Sequence, residues 1–73
     1  MNAIDQTLAK YKVRKSMNAV LKMPVLSFKE INGIPQNAIC QFANHHIGYR
    51  VFQTENNRYV YIDGLGAFKC LYS

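Results

Sequence analysis

After Asn44 the periodicity of the chain changes, and that change limits the fold more than any other feature. Tyr49–Thr54 and Arg58–Asp63 are β-branched or aromatic runs with a period of two, separated by Glu55, Asn56 and Asn57. Two such runs joined by a short Asn-rich turn are the signal of a β-hairpin. Asp63-Gly64 begins a second turn, and Ala67–Tyr72 makes a third strand. On that strand Phe68, Cys70 and Tyr72 face one way and Lys69 and Leu71 the other, because successive side chains alternate across a sheet. Gly64 and Gly66 let Leu65 tuck under the sheet edge. A lone hairpin is not stable in water, so the meander is expected to pack its apolar face on what precedes it.

Before Asn44 the spacing reads as helical. In residues 3–23, Ile4, Leu8 and Tyr11 share one face, and Val13, Met17, Val20 and Leu21 share another, roughly opposite. The simplest account is a break near Arg14–Ser16, with Ser16 capping a second short helix over 17–23 that Pro24 ends by forcing Met23 out of helical geometry. The alternative is one continuous helix with apolar residues on both sides, which needs a partner for one of them. Ser27 with Glu30 three residues on forms a capping box, Gly33 suits the end of a helix, and Pro35 suits the first turn of the next. Ala38, Ile39, Phe42 and Ala43 then give that next helix one apolar face. Residues 27–44 thus resemble a helix-turn-helix, with departures at Lys29 and Asn32, where the motif wants a small and an apolar residue. Helix-turn-helix followed by a hairpin has the outline of a winged-helix module. The expected fold is α+β: short N-terminal helices, then a three-stranded antiparallel meander.

Length and charge set further bounds. Seventy-three residues make one domain with a modest core. Residues 1–15 are a candidate flexible basic arm. Apolar residues are 49% and charged residues 18% of the chain, as in an ordinary globular domain. The net charge of +5 and pI near 9.5 favour phosphate, acidic protein surfaces or anionic lipid as partners. No acidic residue falls between Asp5 and Glu30, an interval that holds Lys10, Lys12, Arg14, Lys15, Lys22 and Lys29. Dense runs of one sign often meet a polyanion, although a solvated arm has the same composition. No apolar run reaches the ~20 residues that span a bilayer, and the polar N-terminus carries no signal-peptide core, so the expected location is the cytoplasm.

Few residue patterns carry chemistry. In a helix-turn-helix, Gln36, Asn37, Gln41 and Asn44 would point outward to read bases, and Arg50 and Arg58 on the hairpin would touch phosphate. Tyr49, Tyr59 and Tyr61 alternate in a way that can form a stacking platform for single-stranded nucleic acid, although tyrosines on a small sheet are usually half-buried cross-strand pairs. Cys40, His45, His46 and Cys70 have no zinc-finger spacing, so no metal is expected, and both cysteines read as buried small hydrophobes. His45 and His46 suit a helix C-terminus. The acids Asp5, Glu30, Glu55 and Asp63 are scattered, and no nucleophile has an orienting motif, so neither catalytic residues nor a cofactor are expected.

Two functional classes follow. One is a helix-turn-helix DNA-binding repressor using residues 35–44 and the hairpin. The other is a regulator that docks on a protein, with Lys10, Lys12, Arg14, Lys15 and Lys22 meeting an acidic or nucleic-acid-handling machine. The second has more support, because the would-be recognition helix contains no Lys or Arg while phosphate contacts dominate DNA affinity. In size, charge and lack of enzyme motifs the chain resembles the small transcription regulators encoded by phages. That resemblance implies a host RNA polymerase partner in the bacterial cytoplasm, inhibition of initiation or antitermination as the outcome, and DNA or RNA contact as an aid.

Overall fold

In the computed structural model, residues 3–22 and 25–72 are described, with side chains for 10–22, 25 and 27–71. One helix, α1 (Ala3–Leu21), runs without the expected break at Arg14–Ser16. Val13 and Met17, one turn apart, are completely buried against the sheet. Ser16, expected to cap a second helix, lies in mid-helix and shares a 2.8 Å hydrogen bond with the Tyr49 hydroxyl. Packing therefore overrides the local stop signal, as it commonly does for weak helical propensity. Residues 1–15, read as an arm, enter α1 from Ala3 onward. Lys22 follows the helix with a φ of 55°, the left-handed conformation that usually ends a helix on Gly. The break expected at Met23 and Pro24 lies outside the described residues.

Five strands follow: β1 (Val25–Ile31), β2 (Ile39–Asn44), β3 (Tyr49–Gln53), β4 (Arg58–Ile62) and β5 (Gly66–Tyr72). They form one sheet in the order β1-β5-β4-β3-β2, with every neighbouring pair antiparallel. The expected short helices and three-stranded meander are thus corrected to one helix and a five-stranded sheet. The second half of the chain holds β3, β4 and β5 close to where alternation put them. The helix-turn-helix does not exist, since Ser27–Ile31 lies in β1 and residues 39–44 are β2.

The error has a physical cause. Gln41 lies at a register shift in β2, where Cys40 opposes Phe52 and Phe42 opposes Val51. One extra residue in a strand is a β-bulge. It puts Ile39 and Phe42 on the same face at a spacing of three, which imitates a helical stripe. Gly33 is also misread: it is not among the positive-φ glycines, which are Gly48, Gly64 and Gly66. It lies in the connection 32–38, where the amide of Ala38 donates to the Pro35 carbonyl at 3.0 Å.

Cross-strand register sorts the sheet into two faces. Toward α1 point Phe28 and Glu30 of β1, Phe68 and Cys70 of β5, Val60 and Ile62 of β4, Tyr49 and Val51 of β3, and Phe42 and Asn44 of β2. The core cluster draws on this face alone, together with Val13, Met17 and Val25, with Leu21 and Leu65 packed against it. Tyr49 is 1% exposed and is tilted against Phe42 with ring centroids 6.0 Å apart. Gly64 and Gly66, both at positive φ, turn the chain so that Leu65 reaches this core.

Candidate functional site

The structure disperses the residues expected to read DNA. Gln36 and Asn37 are exposed in the connection between β1 and β2, and Gln41 is exposed at the bulge. Asn44 is occupied: its side-chain oxygen accepts from the amides of His46 and Ile47, both at 3.0 Å, and its amide reaches Ser16 Oγ at 3.5 Å. Its role is to close the β2–β3 turn and tie that turn to α1. His45 and His46 belong to this turn and not to a helix end. Arg58 is half-buried on the α1 side and donates to Gln53 Oε1 at 2.9 Å. Cys70 is buried as expected, but Cys40 is exposed on β2.

The cations of α1 divide by direction. Lys10 lies with its ammonium 4.7 Å from the Phe68 ring centroid, and Arg14 lies over Tyr11 at 5.9 Å, both within cation–π range. Lys12, Lys15 and Lys22 are exposed. On the outer side of α1, Tyr11 is 53% exposed. At 100° per residue it stands about 160° around the helix from Val13, so a residue that packs on the sheet and a residue that faces away share the same two turns. Tyr11, Ala19 and Ile47 of the β2–β3 turn, with Lys12, Lys15 and Ser16, line a shallow groove of ≈ 390 Å³. Ile47 is itself exposed, which leaves an apolar floor with cationic edges.

The sheet face away from α1 has a different composition. Its first row across the strands is Lys29, Lys69, Tyr59, Phe52 and Cys40, and its second is Ile31, Ala67, Tyr61, Arg50 and Ala43. Neither row contains an acidic residue. Of the three tyrosines that alternation offered for a stacking platform, Tyr49 points into the core and Tyr59 is buried, in line with the cross-strand reading, while Phe52 takes an outer place. Strand parity was the available signal: Tyr49 and Val51 share one side of β3, Arg50 and Phe52 the other. The sequence places Lys29 in the basic run and not beside Lys69, since that approach depends on the pairing of β1 with β5.

No family model matches this chain, and neither a curated protein nor a solved structure resembles it significantly. Among the described residues, no helix is long and apolar enough to cross a membrane.

Proposed function

We propose that this protein is a non-enzymatic transcription regulator of the type that phages encode, docking on host RNA polymerase through α1 to inhibit or reprogram transcription. The observation that carries this reading is the exposed Tyr11 on a helix whose opposite side is locked to the sheet by Val13 and Met17. Tyr11 does not stand singly: it lines one groove with Ala19 and the exposed Ile47, and apolar surface gathered in a patch marks an interaction site. Docking of one helix face against a partner's groove is a common mode of protein recognition. Lys12 and Lys15 on the groove edges favour an acidic surface and speed encounter with it. The polymerase as partner rests on the resemblance in size, charge and motif content. The DNA-reading repressor is not carried forward, because its recognition helix is a strand.

Binding to purified bacterial RNA polymerase, free of nucleic acid, tests the reading. Labelled wild-type protein is expected to bind, and Tyr11→Ala together with Lys12→Glu and Lys15→Glu is expected to weaken binding at least tenfold while leaving the circular dichroism spectrum unchanged. In a transcription assay the same triple variant should lose its effect on initiation or termination. Absence of polymerase binding by the wild type, or equal binding by the triple variant, would sink the proposal.

A further inference from the structure

The outer face of the sheet concerns a different ligand from the helix groove. Lys29 and Lys69 are direct cross-strand partners, and their neighbours in the same row are aromatic. Like charges directly opposite each other in a sheet are destabilising. Among the described residues neither lysine has an ion pair, and Glu30, the adjacent acid, points to the other face. The pair is thus a place where a bound anion would relieve repulsion. One row away, Tyr61 lies directly opposite Arg50 and is 42% exposed. Phe52, half-buried, stands in the lysine row opposite Tyr59, which is only 9% exposed and supports its neighbours.

Three cations share this surface with the exposed ring of Tyr61 and the half-buried ring of Phe52, without an acid in either row. A strand of nucleic acid offers both complements, phosphates and planar bases. A duplex hides its bases inside the stack, and this face has no protruding helix or ribbon to enter a groove. RNA is the strand whose unpaired bases are commonly available without melting a duplex. We infer that the outer face, through Tyr61, Phe52, Arg50, Lys29 and Lys69, binds single-stranded RNA, with a base stacked on Tyr61 and phosphate held between Lys29 and Lys69. This surface is separate from the α1 groove, so it stands or falls independently of polymerase docking.

The test uses the full chain and a fluorescent twelve-residue oligouridine, followed by anisotropy at several salt concentrations without polymerase. Binding is expected with a slope of log K against log salt of about −2, from three cations on a single strand. Tyr61→Ala should weaken it by about 5- to 150-fold, the range for loss of one stacked base, and Tyr61→Phe should restore it. The pair Lys29→Gln and Lys69→Gln should also weaken binding while leaving the melting temperature the same or higher, because it removes the repulsion. This second variant decides the matter if Tyr61→Ala does not fold. Lys12→Glu with Lys15→Glu should reduce affinity less than the Lys29 and Lys69 pair. No binding at low salt, equal binding to an RNA duplex, tighter binding to oligothymidine, or full affinity in the Lys29 and Lys69 variant would each overturn the inference.

Discussion

The two faces of the sheet use the same strands for opposite ends. Val51 and Val60, which pair across β3 and β4, are completely buried beneath α1, whereas Arg50 and Tyr61, one residue along on the same two strands, are exposed. The first face is closed by a helix that commits Val13 and Met17 to it. The second carries Lys29, Lys69 and Arg50 beside the exposed Tyr61, with Tyr59 and Ala67 buried among them. A period-two pattern therefore does more than mark a strand: it lets a short chain separate the residues that hold it together from those left to meet another molecule.

Removing the cover should break this contrast most severely. Met17→Ala takes a fully buried side chain from the helix–sheet contact. It should cost about 2–5 kcal/mol, a large share of the roughly 4–11 kcal/mol expected for a domain of this length. Urea unfolding followed by circular dichroism would measure it.

A smaller effect should come from the β2–β3 turn, which fastens the covered face at one end. Gly48 has a φ of 87°, and a Cβ there would stand 3.2 Å from Asp63 Oδ2. Gly48→Ala should cost about 1–2 kcal/mol through backbone strain alone, with the crowding at Asp63 adding to it. Gly33→Ala, where a Cβ meets nothing within 4 Å, should stay within about 0.5 kcal/mol of wild type. Equal losses in thermal unfolding would show that the turn has no special part in the fold.

The smallest difference sharpens the comparison to one atom. Tyr49→Phe deletes the hydroxyl bonded to Ser16 and should lose about 0.5–1.5 kcal/mol. Tyr61→Phe, on the open face, should change stability by less than about 0.5 kcal/mol. Chemical denaturation of the two variants side by side checks this, and the reverse order would contradict the assignment of faces.

The part of the fold legible in the sequence is the part governed by local alternation. Strands β3, β4 and β5 carry regular period-two patterns, and their turns are marked by Asn56, Asn57 and Gly64. Strands β1 and β2 were not legible for two separate reasons. In β2, Gln41 at the bulge converted strand spacing into apparent helical spacing. In β1, Ser27 and Glu30 have the form of a capping box, yet the segment takes its conformation from pairing with β5, a contact no local window contains. The same distance in sequence concealed the approach of Lys29 to Lys69. By contrast, the exposed position of Tyr11 was open to a helical reading, because the apolar residues of 3–23 require two faces once the helix is continuous.

The position of β1 beside β5 also governs when the molecule can be finished. Val25 pairs with Tyr72 and Ile31 with Ala67, so the first strand made is completed by the last. The β2–β3 and β3–β4 hairpins can form from neighbouring segments, while β1 waits with its backbone donors and acceptors unmatched. Pairings between distant segments are slow because the intervening chain must be ordered first. A chain cut before residue 66 would lack both pairings of β5, with β1 and with β4, and would be a ready target for chaperones and proteases. The closing of β5 onto β1 is thereby the step that decides whether the sheet is finished or left with an open edge.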